Sequence, residues 1–447
     1  MSSNNTFLRD LGDGLILRRS TKADADKLTE FNSHIHARED TGEPDERVGA
    51  WTRDLLTQPH PTFNVGDFTI IEDINTGQIV SSLNLISQTW TYHGIPFGVG
   101  RPELVGTLPE YRNKGLIRTQ FEIIHEWSQE RGELLQAITG IPYYYRQFGY
   151  EMAVSLGGGR YGYLPQIPKL AEGQDEPYQV QPATHNDIKF IDQLYKESTK
   201  RYLLSCQWDE ALWNYELYGK SYLNVNRSEL RIIRNKNGIP IGHLIHRPYT
   251  WGSNMVAIGY ELTPDESWHT VTPTIIRYLN NTGQEYAAKD GNIVDFTGFG
   301  FSLGLEHPVY EVFQDNLPIK RKPYTWYIRL ADPTIFLQLI IPVLEGRLRE
   351  SSFLNHTGEL KITFYQSGIM FNFDQGRISI NDWNPEPHRH SGDAAFPNHS
   401  FLQLIFGYRS ITELDYAYAD CWIDTAEKKL LLDVLFPKIN SNIFPIS

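Results

Sequence analysis

The sequence predicts a mixed α/β protein: two successive copies of one strand, helix, hairpin, strand and helix unit, followed by a separate α+β unit. Three observations carry this. The chain has 447 residues, more than one hydrophobic core normally organises, because domains settle at about 100 to 200 residues. Strand and helix patterns recur in the same order twice. From about Asp332 that order stops and a different one begins. The expected boundaries are 1–155, 156–330 and 331–447.

In the first copy, residues 15–19 (LILRR) read as a strand, and Thr21 with Asp24 three residues later forms a capping box. The box opens a helix whose apolar face is Leu28, Phe31 and Ile35. Residues 68–86 alternate, turn at Asn-Thr-Gly and alternate again, which is the pattern of a β-hairpin. A further strand runs into Pro109. An amphipathic helix then carries Ile117, Phe121, Ile124 and Trp127, and Gly132 closes it before a strand at 134–139.

The second copy repeats the opening at 180–184, with Thr184 and Asp187 flanking a helix start and Ile188, Ile191 and Leu194 as its stripe. Its hairpin spans 230–246 and turns at Asn237-Gly238, and its next strand ends at Pro264. There the copies part. After Pro109 the first reads EYRNKGLIR; after Pro264 the second reads DESWHT, without the glycine or the arginines and lysine of the first. One working site and one structural copy are expected. Gly157-Gly158-Gly159 lacks the strand–helix context of a dinucleotide fingerprint and reads as the start of the linker between copies.

In the third unit, Asp332 and Pro333 suit the cap and first position of a helix to about Leu348, which Pro342 should kink. Strands are expected at 359–365, 369–374 and 377–380, short helices near Phe401 and Leu430, and a surface loop over 381–400. A stripe of Ile335, Leu339 and Val343 lines either a pocket or the core.

Composition narrows the function. Hydrophobic residues at 40% and a formal charge of −13 describe a folded chain with no basic patch beyond Lys320-Arg321-Lys322, so nucleic-acid binding is not expected. No apolar run approaches the roughly 18 residues of a membrane span, and no secretory signal is visible, so a cytoplasmic location is expected. The acidity suits a cationic partner or simply keeps the chain soluble. Cys206 and Cys421, the two cysteines, read as buried small hydrophobes. His34 and His36 with Glu39 and Asp40, and His388 and His390 with Asp393, lack a third ligand at helical spacing, so no metal is expected.

The chemistry is expected where the strand ending near Thr107 meets the helix beginning near Gly115. A helix N-terminus offers free backbone N–H groups and partial positive charge, which stabilise an anion. Basic side chains there oppose the helix dipole, so Arg112, Lys114 and Arg118 call for an anionic ligand. Gly115 lets backbone approach a diphosphate, and Leu116 and Ile117 begin the buried face.

This segment, VGTLPEYRNKGLIR, resembles motif A of the GNAT superfamily of N-acetyltransferases. It departs from the general pattern in having Ile117 where a small residue is usual, and that departure resembles the Eis-like (enhanced intracellular survival) branch. The branch implies a catalytic GNAT unit, a degenerate GNAT-like unit and a C-terminal unit resembling sterol carrier protein. It also implies acetyl-coenzyme A as cosubstrate, a primary amine of a small cationic molecule or a lysine as acceptor, and assembly into higher homo-oligomers. By this resemblance Val105, Gly106 and Thr107 match the segment that pairs with the pantetheine arm. Arg112, Asn113, Lys114, Gly115, Leu116, Ile117 and Arg118 match the pyrophosphate loop, and Gly140 and Ile141 a contact near the thioester. Tyr145, three residues before Phe148-Gly149-Tyr150, matches the tyrosine that protonates the departing thiolate; otherwise it belongs to an aromatic wall with Tyr143, Tyr144, Phe148 and Tyr150. The branch further implies that the C-terminal carboxylate, here Ser447, serves as base. Glu103 is a second candidate, with a solvated edge charge as its plainer reading. A different function class is a lipid-binding or apolar-ligand-binding protein whose GNAT site is vestigial.

Overall fold

The computed structural model describes residues 6–39, 41–289, 295–386, 391–397 and 399–447. The first segment contributes strands β1 (Phe7–Gly12), β2 (Leu15–Arg19), β3 (Phe68–Asp73), β4 (Gln78–Tyr92), β5 (Ile95–Thr107), β6 (Glu133–Ile138) and β7 (Glu151–Leu156). Helices α1 (Ala25–Ile35), α2 (Glu46–Thr57) and α3 (Leu116–Glu130) lie between them. The Thr21/Asp24 capping box forms as the sequence predicts. Asp24 also accepts from the Arg18 guanidinium at 2.7 Å, which ties the helix entry to β2. The long β4–β5 hairpin is the spine: β4 buries most of its residues and β5 its central run between the helices and the rest of the chain.

The second segment supplies β8 (Gly159–Tyr163), β9 (Gln179–Pro182), β10 (Leu204–Cys206), β11 (Glu229–Arg234), β12 (Pro240–His246), β13 (Asn254–Leu262), β14 (Gly298–Phe301), β15 (Ile319–Arg321) and β16 (Tyr324–Leu330). The two large sheets run in matching orders. One is β1-β2-β3-β4-β5-β6-β16-β7, with β10 on the flank of β4; the other is β9-β11-β12-β13-β14-β8-β15 read from its far edge. Each has one parallel pair at its centre, β5 with β6 and β13 with β14.

The sheets exchange strands. β16, which the linear reading places in the second unit, inserts between β6 and β7 of the first sheet and pairs antiparallel with both. β8, which directly follows β7, does the same between β14 and β15 of the second. The crossing explains two of the three consecutive glycines. A Cβ on Gly159 would sit 1.9 Å from the carbonyl oxygen of Phe301, and one on Gly158 would sit 3.0 Å from Pro323, where the return crossing passes.

The third sheet holds the strands Gly358–Thr363, Gly368–Asp374 and Arg377–Trp383 as two hairpins, extended by short strands at Ala394–Ala395 and Trp422–Ile423. The expected helix breaks at Ile340, giving Pro333–Leu339 and Ile341–Arg349, with Pro342 in the first turn of the second piece. Two expectations need correcting. Of the expected stripe, Leu339 and Val343 pack partly buried against the core, but its buried line is Phe336, Ile340, Leu344 and Leu348, one position on, and Ile335 at the first turn is 49% exposed. The 381–400 stretch is not wholly surface either: Ala394, Ala395 and Phe396 are buried, since they pair with or pack beside the strand at 358–363. His388, His390 and Asp40 lie outside the described residues. Both cysteines are buried and unpaired.

Candidate active site

β5 and β6 pair in parallel only from Gly98–Gly100 against Glu133–Gln136. Beyond that they diverge, and the cause lies in β5. Leu104 adopts φ of 53°, a left-handed conformation that a bulky residue rarely holds, and the β4–β5 register slips between Ser82 and Asn84 opposite it. The bulge turns residues 104–107 away from β6. α1 follows closely: a Cβ on Gly106 would meet the Ile35 side chain at 2.3 Å, so only glycine admits that helix here.

Between the diverging strands lies a cavity of about 870 Å³. Val105, Gly106 and Thr107 line one wall and Ile138, Thr139, Gly140 and Ile141 the other. Its far end is Arg112, Asn113, Gly115, Leu116, Ile117 and Arg118. Asn113 and Gly115 both have positive φ, 63° and 75°, so the loop curls before α3 begins. The first helical bond runs from Thr119 N–H to the Gly115 carbonyl, leaving the N–H groups of Leu116, Ile117 and Arg118 at the open helix end. This end has the donors and charge for an anion.

Lys114 is the exception among the loop residues. Its ammonium stands 4.7 Å from the centre of the Tyr111 ring and faces a separate recess beside Asp13, Asp73 and Glu110, away from the cavity. The positive φ of Asn113 sends consecutive side chains to opposite sides of the loop. Arg118 instead lies 5.3 Å over Phe148 and donates to Gln147 Oε1 at 3.2 Å, both of them cavity residues.

Tyr145 is 3% exposed and lies on the short helical turn Tyr144–Phe148. The turn is held from behind: the Tyr143 N–H donates to Tyr327 Oη at 2.6 Å, and Tyr327 belongs to the inserted strand β16. A Cβ on Gly140 would lie 3.6 Å from Tyr145 Oη, which puts the phenol beside the end of β6. Burial first, and then the nearby Glu103 carboxylate, raise the Tyr145 pKa well above the ordinary phenol value, so the hydroxyl stays protonated.

Glu103 lines the same cavity and is not a solvated edge charge. Its carboxylate lies 2.6 Å from the Arg101 guanidinium. Burial raises its pKa, and Arg101 only partly offsets this. The Arg101-x-Glu103 spacing, which puts both side chains on one strand face, is the sequence signal for this pair. His36, also in the lining, is kept neutral by burial, which outweighs the pull of Asp45.

Ser447 does not line this cavity. The carbonyl of Ile446 accepts from Arg101 at 2.6 Å and Gln88 at 2.7 Å, and the Phe444 carbonyl from Trp208 Nε1 at 2.9 Å. These clamps fix the tail so that Ser447 faces a second cavity instead.

The corresponding gap in the second sheet is filled. The space along Ile258, Gly259, Tyr260 and Leu303 holds only about 40 Å³. Tyr310 Oη donates to the Phe301 carbonyl at 2.9 Å and accepts from Leu303 N–H at 3.0 Å at the end of β14, while His307 Nε2 bonds the Tyr260 carbonyl of β13 at 3.0 Å, so the segment after β14 fills the gap.

Residues 17–153 match the family profile described as "Acetyltransferase (GNAT) domain". The chain carries a GNAT acetyltransferase domain. That domain supports an N-acetyltransferase, since GNAT enzymes use acetyl-coenzyme A and act on amines. No curated protein sequence matches the chain significantly. Solved structures resemble it over nearly its full length. A probable N-acyltransferase from Enterococcus faecalis V583 shares 13% identity at a TM-score of 0.64, covering 97% of this chain and 100% of its own. A GCN5-related N-acetyltransferase from Kribbella flavida shares 15% identity at 0.60, covering 100% of both chains. Eis1 from Mycobacterium abscessus shares 11% at 0.58, covering 97% of this chain and 99% of its own. At such identities the likeness is one of fold, and it extends well beyond the GNAT domain. Among the described residues, no three His, Cys, Asp or Glu side chains gather in a way that could hold a metal.

Proposed function

We propose that the protein transfers the acetyl group of acetyl-coenzyme A to a primary amine, of a small molecule or of a lysine, at the cavity between β5 and β6. The observation that carries this reading is the joining, in one space, of an anion-binding helix end, two unpaired strand edges and a buried tyrosine. Along the diverging strands the backbone groups of residues 104–107 face no sheet partner on the β6 side, which suits the amide-bearing pantetheine arm. The basic end, with Arg112, Asn113 and residues 115–118, suits the diphosphate.

In this reading Glu103 accepts the proton of the attacking amine, directly or through water, while a C–N bond forms and the C–S bond breaks. Tyr145 gives its proton to the departing sulfur. Backbone N–H at the Leu104 bulge steadies the charge that develops on the carbonyl oxygen. Glu103 takes the role expected of Ser447 because it is the carboxylate that stands in the catalytic cavity.

On the wider architecture we read residues 1–155, completed by β16, as the catalytic unit and residues 156–330 as a degenerate copy. Residues 331–447 are read as a sterol-carrier-like unit. The filled gap at Tyr310 and the Phe-rich core of the third sheet support this. The test is calorimetric titration of the full chain with acetyl-coenzyme A, paired with thiol release across an amine panel. Saturable heat and amine-dependent thiol are expected; no heat at millimolar ligand would sink the reading.

A further inference from the structure

The segment between β6 and the turn that carries Tyr145 has little of its own to hold it. β6 ends at Ile138, and the chain then bends, with φ of 120° at Gly140 and 61° at Tyr143. The second is a left-handed conformation that a bulky residue keeps only where its surroundings impose it. The side chain of Tyr143 does not anchor it, being 69% exposed. The bond that spans the bend from within, from Tyr144 N–H to the Ile141 carbonyl, is long at 3.3 Å.

An outside constraint comes from β16. That strand pairs with β6 from Tyr327 onward, and its first residues pair with β7 alone, past the end of β6. Two hydroxyls reach across to the bend. Tyr327 Oη accepts the Tyr143 N–H at 2.6 Å, and Tyr324 Oη donates to the Gly140 carbonyl at 3.1 Å. Residues three apart on a regular strand face opposite ways. Here the pairing with β7 slips between Trp326 and Tyr327, and both phenols meet the same loop. They take hold of it at its two residues of positive φ, one through a carbonyl and the other through an N–H.

Tyr145 follows two residues after Tyr143. Its ring stands 5.4 Å from that of Tyr327, edge to face, and its hydroxyl lies beside Gly140. Neither Tyr324 nor Tyr327 is among the residues lining the catalytic cavity, so any effect they have on the reaction passes through the loop.

We propose that Tyr324 and Tyr327 are positioning residues for acetyl transfer: their hydroxyls hold the loop from Gly140 to Tyr143 so that Tyr145 meets the sulfur of the thioester. This rests on the acetyltransferase reading and deepens it, adding residues that lie outside the GNAT domain. In the step concerned the C–S electron pair passes to sulfur, the Tyr145 O–H bond breaks and an S–H bond forms, and the phenolate later regains a proton from solvent. Displacing a catalytic group by about 1 Å can cost about 10²-fold in rate.

The test uses the full chain and two readouts. Without ligand, amide hydrogen exchange is followed in peptides covering 139–145. Tyr327→Phe and Tyr324→Phe should each speed exchange in this segment by about tenfold or more, as loss of a tethering hydrogen bond requires, with exchange elsewhere and Tm little changed. Kinetically, thiol release from acetyl-coenzyme A is measured with spermidine, tyramine and Nα-acetyl-lysine as acceptors. Each variant should lower kcat by about tenfold or more, while acetyl-coenzyme A affinity by calorimetry changes by less than about threefold. In a Tyr145→Phe background the same substitutions should lower kcat by less than about twofold further, because the group they position is gone. Equal losses in both backgrounds would mean general loosening of the fold and overturn the inference. Unchanged exchange over 139–145 overturns it as well, as does an unchanged kcat alongside faster exchange. No thiol release from any of the three amines together with no coenzyme heat in the wild type would overturn the acetyltransferase reading itself, and the positioning role with it, even where exchange shows that the two hydroxyls hold the loop.

Discussion

Arg101 and Glu103 stand two residues apart on one face of β5 with 2.6 Å between guanidinium and carboxylate. The same guanidinium donates to the carbonyl of Ile446, so one cation organises both the candidate base and the chain's last residues. Replacing Glu103 with Gln keeps the shape and removes the base. We expect kcat/KM to fall about 10²- to 10⁴-fold, with acetyl-coenzyme A affinity by calorimetry little changed. Burial holds the Glu103 pKa above the ordinary carboxylate range, so in the wild type activity should be lost as the pH falls through that raised value, and this acidic limb should vanish in the variant.

Tyr145→Phe removes one oxygen from a packed aromatic cluster, with Tyr144 and Tyr327 each 5.4 Å away between ring centres. The fold should survive, and kcat should drop by about 10²-fold. Because the phenol pKa is raised, the wild-type rate should show no loss of acid catalysis through neutral and mildly alkaline pH. A descending limb near neutrality in wild type but not in the variant would contradict this.

The basic residues of the loop should separate in a binding assay. Arg118→Ala removes a cation that lines the cavity and should weaken coenzyme A by about tenfold, near 1.5 kcal/mol. Lys114→Ala, whose ammonium faces Tyr111 on the other side, should change affinity by less than about twofold. Gly115→Ala has open space for its methyl but keeps a φ of 75°. The left-handed conformation costs about 1–2 kcal/mol, which should lower Tm as well as affinity.

Stability should depend on pH through buried imidazoles. Burial pushes His60, His243 and His246 each down to about 4, whereas an unfolded histidine titrates near about 6.5. Between those values the unfolded chain binds more protons than the folded one, so stability is complete above the upper value and is lost as pH falls through the window. Tm should be lower at pH ~5 than at pH ~7.5, and His243→Gln should flatten that dependence. An unchanged Tm across the window would disprove the neutral burial of these rings.

Local signals survived folding where their cause was local. The capping boxes at Thr21 and Thr184, the two hairpins and the break at Pro342 follow from turn and cap chemistry within a few residues. The loop from Arg112 to Arg118 was legible because charge opposing a helix dipole is a contradiction visible in one dimension. What stayed hidden depends on partners far along the chain. Nothing in residues 324–330 says which sheet they join, since a short buried strand reads alike in either. The φ of Leu104 could not be anticipated from a leucine, because it goes with a register slip against β4 that only the folded sheet defines. The placement of Lys114 turns on one left-handed residue, Asn113, that rotates the side chains after it.

The insertion of β16 between β6 and β7 also governs how the protein can be made. On the ribosome, Tyr145 and its cavity are synthesised early, yet the strand that braces them, with Tyr327 opposite Ile138 and Met152, emerges only after the whole second sheet. Until then β6 and β7 present open edges with nothing between them, a configuration prone to wrong pairing. Competence for acetyl transfer is thus a late event in the life of the nascent chain, and a fragment ending at residue 155 would carry every residue of the GNAT signature while missing the piece that closes its sheet.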